Sequence, residues 1–581
     1  MQTLEEYISA GMGIAFHANM FPTKKAVISE HGERTFHELN ANSNKYANFL
    51  HKHGLKSGEA VAIVCKNRPE FLEALYGPLR IVLRITPINW HLTPDEVTYI
   101  VENCEAKAVV CDSTLQETIS EIKAKLPEVI ILSAGGKVKD ALFYDDAIVS
   151  EDDANVENPI AGKSMLYTSG TTGRPKGVFR KENPPLSMTE KLTSESANFN
   201  PETDFSICPG PAYHAAPLGL NISISLMAGV GVYLMDKWDA EKMLHLIDRH
   251  KCTHTHMVAT MFHRILRLPE EVRSSYDLSS MKWILHGAAP CPVEVKRAII
   301  EWFGAIVFEY YAATEGGGCF IDSKEWLLKP GSVGKANDGV EVKILDEEDQ
   351  EVKEGMDGTI YFKAPETGRF EYYKAKEKTS GAYRGDYFTM GDIGYRDSDG
   401  YYFLTGRSAD TIISGGTNIY PQEIDDVLLA HQSVAEVCCI GVPNEEWGEE
   451  VKAVINLESG ADEDAVRKEL AKLGGNLEII SRARIEINAM RLAVLQAAKA
   501  MDVLGNKEAR VYVSAIKAMV PEKACKIIDQ AIQMHGAAGI SQWTPLAGLY
   551  TDIRHLRFAD GPDEVHHMVV GRAEMQKYDL W

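Results

Sequence analysis

The sequence predicts an α/β protein in three parts: a large N-terminal domain of layered α/β subdomains with a small barrel, a small α+β domain after a hinge, and an all-α helical tail. Three changes of pattern indicate this order. Short apolar runs alternate with helical patterns from about 60 to 330, period-two runs occupy 338–405, and strand patterns almost vanish after about 479. The predicted domains are residues 1–406, 407–475 and 479–581.

The N-terminal part alternates strands with helices. Apolar runs such as VAIVC at 61–65 and VGVYLM at 230–235 each precede an amphipathic helical pattern. This alternation is typical of sheets covered by helices. From 338 to 405, the runs EVKIL, TIYFKA and YYFLTG alternate in polarity between turn residues, which predicts an antiparallel, barrel-like section.

The last two parts differ from each other in pattern. The stretch 407–475 has its own helix and strand signals, EIDDVLLAH and VAEVCCIGV, and ends at Leu473-Gly-Gly-Asn476, which predicts a junction. Apolar residues then recur in steps of three and four from Ile485 to Met501, which predicts helices.

Composition disfavours several classes of partner and location. The formal net charge of -22 disfavours a nucleic-acid or anionic-membrane partner, since both reward clustered Lys and Arg. Ten cysteines without a C-x-x-C pair are typical of a reducing compartment. The N-terminus lacks a secretory pattern, and the longest apolar runs reach about half a membrane span. We therefore expect a cytoplasmic protein without a transmembrane segment.

The ten residues TSGTTGRPKG, Thr168 to Gly177, are typical of a phosphate loop. Glycines let backbone N–H groups approach phosphate oxygens, hydroxyls donate further hydrogen bonds, and Lys176 supplies charge. The Walker spacing fails, because Gly177 follows Lys176 and no helical pattern begins there. A solvated polar loop is the alternative interpretation. The predicted phosphate ligands are Thr168, Ser169, Gly170, Thr171, Thr172, Gly173 and Lys176.

This string resembles the phosphate-loop signature of the adenylate-forming superfamily, which includes AMP-forming acyl-CoA synthetases, luciferases and peptide-synthetase adenylation domains. The resemblance covers about residues 10–470. PAYHAAP at 211–217 is similar to a second family motif, which would place His214 near the acyl carboxylate and the α-phosphate. HGAAP at 286–290 is similar to the loop lining the adenine and acyl pockets, through Gly287 and Ala288. Taken alone, these short strings would indicate a packed histidine and a turn.

YYAATE at 310–315 resembles the family's YGxTE, with Ala312 in place of its glycine. The resemblance implies that Tyr311 stacks on adenine, Thr314 bonds the α-phosphate and Glu315 holds Mg²⁺. Such a carboxylate is also what the chemistry needs, because Mg²⁺ prefers hard oxygen ligands shared with substrate phosphates.

Two further motifs resemble the family's ribose site. MGDIGY at 390–395 would place Asp392 at the ribose hydroxyls, and TGR at 405–407 would place Arg407 beside it. The hinge residue that follows is Ala409 here, where the family usually has Asp or Lys. SGGTNIYPQEI at 414–424 resembles the segment that helps to form the thiol channel.

The resemblance implies a two-step reaction. A fatty acid, of medium or long chain, attacks the α-phosphate of MgATP to give an acyl-adenylate and pyrophosphate, and the thiol of coenzyme A then displaces AMP. The implied catalytic residues are Lys176, His214, Thr314 and Glu315, with Glu315 as the metal ligand.

The chain departs from the family at the end of the small domain. The family closes with a P-x-x-x-x-G-K segment whose lysine bonds the carboxylate and α-phosphate, and the nearest string here, Gly505 to Lys507, is predicted to be a turn between helices. Losing one preorganised donor typically removes about 3 to 4 kcal/mol of transition-state stabilisation. We therefore expect slow adenylation with ATP binding retained.

The tail has a resemblance of its own. Residues 479–581 look like the end of an acyl-CoA dehydrogenase, whose Q-x-x-G-G-x-G motif touches a flavin. That motif would fall on Gln533, Gly536 and Gly539, and Asp560 stands where many members carry a catalytic glutamate. Because nothing before 479 resembles the dehydrogenase's other domains, FAD binding is disfavoured. An incomplete bundle leaves apolar helix faces that could drive homo-oligomerisation.

Three hypotheses of function follow. The first is a fatty acid–CoA ligase impaired in adenylation. The second is a nucleotide- or acyl-CoA-binding pseudoenzyme that is oligomerised by its tail. The third, and weakest, is an oxidoreductase fragment related to acyl-CoA dehydrogenases.

Overall fold

The computed structural model describes residues 2–168, 175–182, 188–408, 410–414, 417–444, 448–535, 540 and 545–578. The chain divides into two compact units. One comprises residues 1–426 and 439–452, and the other comprises 427–438 and 453–581. The predicted fold class is confirmed, since sheets and helices build the first unit and long helices dominate the second. No helix in the described ranges is both long and apolar enough to cross a membrane.

A parallel sheet contains the first predicted strands. Ala60–Val64 and Ala106–Asp112 are buried along almost their whole length, as expected for central strands covered on both faces. Thr93 and Glu96 form a capping box that begins the helix Pro94–Asn103. The strands lie in the order Leu142–Phe143, Ile130–Ala134, Ala106–Asp112, Ala60–Val64, Arg84–Pro87 and Lys163–Ser164. Helices along this stretch are Phe36–Lys52, Pro69–Tyr76, Pro78–Arg80 (3-10), Pro94–Asn103, Gln116–Lys125 and Tyr144–Ile148.

A larger sheet positions the candidate site. His254–Met257, Trp283–His286 and Val307–Ala313 are parallel neighbours, so the residues that follow them meet at the same edge of the sheet. Those residues include HGAAP and Thr314–Glu315. The strands lie in the order Val342–Leu345, Gly358–Lys363, Tyr387–Arg396, Tyr402–Arg407, Ser332–Ala336, Gly316–Ile321, Val307–Ala313, Trp283–His286, His254–Met257, Phe205–Cys208, Gly231–Leu234, Lys25–Ser29 and Gly32–Thr35, and Tyr383–Arg384 pairs with Tyr387–Arg396.

The period-two stretch forms the antiparallel end of this sheet, as predicted. Tyr387–Arg396 pairs with Gly358–Lys363 on one side and Tyr402–Arg407 on the other, which places Asp392 opposite Arg407. Helices elsewhere in the first unit are Leu4–Ser9, Gly13–Met20, Met188–Ala197, Ala215–Pro217, Leu218–Ser223 (π), Ile224–Met227, Ala240–His250, Ala259–Leu266, Glu270–Arg273, Val293–Phe303, Ser323–Leu328 and Lys376–Ala382.

The stretch after 407 has the mixed α and β elements expected of a small domain. The helix Pro421–Leu429 accompanies a sheet in the order Thr417–Ile419, Ile412–Ser414, Gly448–Leu457 and Val434–Asn444. The hinge residue Ala409 lies outside the described residues.

The tail is helical, as predicted. Gly505 has φ 78° and interrupts the first long helix where the sequence predicts a turn. The same helix continues through 473–476, so the predicted junction there is helical, because the flanking helix formers outweigh the roughly 1 kcal/mol that each glycine costs. The helices described in this region are Glu463–Glu508, Arg510–His535, Leu546–Leu556 and Asp563–Gln576.

Candidate active site

The predicted phosphate loop joins two antiparallel strands. Leu166–Thr168 pairs with Lys176–Arg180, and Thr168 lies opposite Lys176. Both residues are half-buried at the two ends of the loop. A strand follows the loop, whereas a Walker loop opens a helix. Five predicted phosphate ligands lie outside the described residues: Ser169, Gly170, Thr171, Thr172 and Gly173.

Tyr372 connects the loop lysine to the predicted metal ligand. It ends the strand Phe370–Tyr372, which pairs with Lys176–Arg180 on the side away from Thr168. Lys176 Nζ lies 4.9 Å from the centre of the Tyr372 ring. The Tyr372 hydroxyl donates to Glu315 Oε1 at 3.0 Å. Lys176 and Glu315 therefore belong to one site.

Arg180 holds the backbone that carries Thr314 and Glu315. Its Nη2 donates to the carbonyl oxygens of Thr314 at 2.9 Å and Glu315 at 2.8 Å. The two residues follow a register shift in the strand at Ala312. No motif in the sequence marks Arg180, although its spacing of four from Lys176 along a strand places both side chains on one face.

The Glu315 carboxylate suits a magnesium ion. Its Oε1 accepts the hydrogen bond from Tyr372, and its second oxygen remains able to coordinate. Proteins usually hold Mg²⁺ with one or two carboxylates together with substrate phosphates. Within the described ranges, no group of three His, Cys, Asp or Glu side chains could hold a metal. The other ligands that Mg²⁺ usually takes in proteins are substrate phosphate oxygens and water.

Tyr311, Asp392 and Arg407 form a hydrogen-bonded group. The Tyr311 hydroxyl donates to Asp392 Oδ2 at 2.7 Å, and Arg407 Nε donates to Asp392 Oδ1 at 2.9 Å. Burial and the neighbouring Asp392 raise the pKa of Tyr311, so its hydroxyl keeps its proton. A carboxylate has about four lone-pair sites, so Asp392 can still accept from a diol.

The HGAAP loop is tightly fitted. A Cβ on Gly287 would lie 2.5 Å from the Tyr310 ring and 2.6 Å from its carbonyl oxygen, so this position requires glycine. Ala288 has φ 63°, a left-handed conformation that costs an L-residue roughly 1 to 2 kcal/mol. Such strain concentrates at functional sites.

A buried ion pair supports this loop from within the protein. Lys296 Nζ bonds Glu309 Oε2, and the Glu309 carboxylate also lies 3.6 Å from His286 Nε2. The side chains of Lys296 and Glu309 are only 1% and 7% exposed. Glu309 lies opposite His286 in the sheet and two residues before Tyr311. The ion pair therefore lies next to the strands that carry the HGAAP and YYAATE motifs. No motif in the sequence marks this ion pair.

His214 lies in a loop held by Asn67. The His214 side chain is exposed at the start of Ala215–Pro217, beside the Tyr213 ring. Buried Asn67 donates through Nδ2 to Gly210 O at 2.9 Å and Met235 O at 2.7 Å, and its Oδ1 accepts from Ala212 N at 2.8 Å. Both donors of its amide nitrogen are thereby used: one holds the start of the His214 loop at Gly210, and the other ties Asn67 to Met235 at the end of a neighbouring strand.

Two of the four residues singled out in the dehydrogenase-like tail lie within the described residues. Gln533 and Asp560 are exposed, and Asp560 has φ 55° in a turn. Gly536 and Gly539 lie outside the described residues.

Three family models match the chain. Residues 14–373 match AMP-binding enzyme, residues 423–486 match AMP-binding enzyme C-terminal domain, and residues 462–575 match Acyl-CoA dehydrogenase, C-terminal domain.

Two similar relatives are fatty acid ligases by name. A long-chain-fatty-acid–CoA ligase of Bacillus subtilis is 30% identical over 485 residues, covering 77% of this chain and 85% of the relative. The long-chain-fatty-acid–CoA ligase FadD13 of Mycobacterium tuberculosis is 30% identical over 433 residues, covering 72% and 82%.

Solved structures share the fold. MatB of Rhodopseudomonas palustris with bound ATP is 29% identical with a TM-score of 0.65, covering 78% of this chain and 91% of that one. The o-succinylbenzoate CoA synthetase MenE of Bacillus subtilis with its acyl-adenylate is 26% identical with a TM-score of 0.65, covering 79% and 91%.

Proposed function

Since the chain belongs to the AMP-binding enzyme family and carries a C-terminal acyl-CoA dehydrogenase match, we propose that it is an ATP-dependent fatty acid–CoA ligase working through an acyl-adenylate. The observation that carries this proposal is the cluster of Lys176, Tyr372 and Glu315 at the end of the phosphate loop. It supplies a cation and a metal-binding carboxylate where ATP phosphates would lie.

In the proposed first step, a carboxylate oxygen of the fatty acid attacks the α-phosphorus of ATP. The bond from that phosphorus to the pyrophosphate oxygen breaks, which gives acyl-adenylate and pyrophosphate. Lys176 would hold the leaving phosphates, and Thr314 and His214 would lie at the α-phosphate. When bound at Glu315, Mg²⁺ would neutralise phosphate charge. Positioning and charge stabilisation carry most of such a reaction.

The nucleoside would rest on Tyr311, with its ribose hydroxyls donating to Asp392 beside Arg407. Gly287 and Ala288 would leave room for the adenine ring. In the second step, the sulfur of coenzyme A attacks the acyl carbonyl carbon, and AMP leaves with the bonding electron pair.

We propose that adenylation is slower than in typical members, by a hundred- to thousand-fold, because the closing lysine segment is missing. The domain limits 1–406, 407–475 and 479–581 stay part of this proposal, as does a cytoplasmic location. Medium- or long-chain aliphatic acids are the proposed substrates, supported by the names of the fatty acid ligases that the chain resembles.

We also propose self-association through the tail. Its helices expose many large apolar side chains, including Leu492, Val503 and Met568. Where such side chains are contiguous, they commonly mark an interaction surface. Light scattering after size exclusion should give a mass above the 64.3 kDa of one chain. A monomer at micromolar concentration would contradict this.

The test of the ligase is a pair of assays across octanoate, palmitate, benzoate and ferulate. Acyl-CoA and AMP formation reports the whole reaction, and ATP–pyrophosphate exchange without coenzyme A reports adenylation alone. We expect exchange with an aliphatic acid and its loss in Glu315→Gln. ATP binding without exchange for any acid would favour a nucleotide-binding protein instead.

A further inference from the structure

Tyr372 contacts both charged groups of the candidate site, although no motif assigns it a role. The Tyr372 hydroxyl bonds Glu315 Oε1 at 3.0 Å, and Lys176 Nζ lies 4.9 Å from the centre of its ring. Burial and the like charge of Lys378 lower the pKa of Lys176, and the negative charge of Glu315 partly offsets this. Within the described residues, Lys176 and Glu315 form no ion pair with each other, and Tyr372 contacts both.

A lysine and a carboxylate in one site attract each other, and a direct pair would compete with what each must bind. Lys176 would be less available to phosphate, and the Glu315 carboxylate less available to a cation. A tyrosine prevents this pairing in two ways. Its hydroxyl satisfies one carboxylate oxygen, and its ring face attracts the ammonium group.

We propose that Tyr372 is a positioning residue that orients Glu315 toward Mg²⁺ and separates it from Lys176. This inference rests on the proposed function for its link to catalysis, but its effect on magnesium binding does not need turnover. Arg180 holds Glu315 from a second side, because it donates hydrogen bonds to the backbone carbonyl oxygens of Thr314 and Glu315. It lies on the strand that pairs with the strand of Tyr372.

The adjacent tyrosine provides a matched control. Tyr373 also donates its hydroxyl to a glutamate, Glu105, at 2.5 Å, but that carboxylate pairs with Lys374 and belongs to another part of the surface. Tyr372→Phe and Tyr373→Phe each remove one tyrosine–glutamate hydrogen bond. Only the first bond involves the predicted metal ligand.

The first experiment measures binding of a fluorescent ATP analogue while Mg²⁺ is titrated, with a parallel titration in EDTA. Tyr372→Phe should raise the half-saturating Mg²⁺ concentration about tenfold, as expected for a hydrogen bond to a charged group, and leave binding in EDTA within twofold. Tyr373→Phe should change neither value. An unchanged Mg²⁺ dependence in folded Tyr372→Phe would overturn the proposal.

A second comparison separates positioning from general destabilisation. In a Glu315→Gln background, Tyr372→Phe should have no further effect on the Mg²⁺ dependence, because the carboxylate that it orients is gone. An equal tenfold effect in both backgrounds would refute the proposed coupling. If no acid supports pyrophosphate exchange while the magnesium shift is present, the proposed ligase fails and this inference stands.

Discussion

Replacing Lys296 with methionine tests whether the buried Lys296–Glu309 pair supports the site. The substitution keeps an apolar stem but leaves the Glu309 carboxylate, 7% exposed, without its cation. Removing one partner of a buried pair typically costs about 3 to 5 kcal/mol. Since roughly 1.4 kcal/mol is a factor of ten, amides of the strand Val307–Ala313 should exchange at least 100-fold faster where their exchange requires opening of this region.

The cost should depend on pH in a defined direction. Burial already raises the pKa of Glu309, and loss of Lys296 raises it further. When the pKa of a carboxyl group is higher in the folded protein than in the unfolded chain, its contribution to stability is fully present below the pKa of the unfolded chain. That contribution is lost as the pH rises through the pKa of the folded protein. The ratio of exchange rates, Lys296→Met to the unsubstituted protein, should therefore be larger at pH 8 than at pH 5.

Peptide-resolved hydrogen exchange makes this measurement at each pH. Lys363→Met is the control, because its pair with Glu341 at 2.8 Å is about half exposed, and solvent-exposed ion pairs contribute little to stability. The double substitution Lys296→Met with Glu309→Leu should restore most of the protection, since no buried charge remains. A ratio below threefold at every pH would refute this reasoning.

Three other perturbations test separate parts of the structure. Burial lowers the pKa of His256 to about 4, so the stability that the neutral imidazole contributes is present above about pH 6.5 and falls by about 3 kcal/mol towards pH 4. In His256→Asn, hydrogen exchange of the strand His254–Met257 should therefore depend less on pH over this range. An unchanged pH dependence would contradict this prediction. Asn67→Ala removes the hydrogen bonds that hold the His214 loop at Gly210 and Ala212, so kcat for adenylation should fall at least tenfold while the affinity for ATP stays nearly unchanged. A change in ATP affinity with no change in kcat would contradict this prediction. Val82→Gly should raise the thermal midpoint by about 1 °C, since Val82 has φ 61° and relief of a left-handed conformation contributes roughly 1 kcal/mol. A lower midpoint would show that the packing of the valine side chain dominates.

Local patterns predicted much of this molecule. Buried strands such as Ala60–Val64, the antiparallel stretch and the tail helices follow from short-range polarity. The interruption at Gly505 was also predictable from its composition. At 473–476 the same reasoning predicted a junction between two patterns, but one helix passes through it because the flanking residues favour helix.

The contacts that assemble the site depend on long-range pairing and could not be read from local patterns. Asn67 reaches a loop 143 residues away, and Tyr372 is 57 residues from Glu315. The motif that resembles a ribose site suggested Asp392 and Arg407, but their direct pairing follows from strand register. Resemblance identified the residues expected to touch ATP, and the structure was needed to find Arg180 and Tyr372, which hold them.

Direct detection of the acyl-adenylate tests the central claim. The purified protein is incubated with ATP, Mg²⁺ and palmitate or octanoate in the absence of coenzyme A, and the products are identified by mass spectrometry. The proposed function predicts acyl-AMP and an equal amount of pyrophosphate, formed slowly and absent in Glu315→Gln. Bound, unreacted ATP with every acid would contradict it.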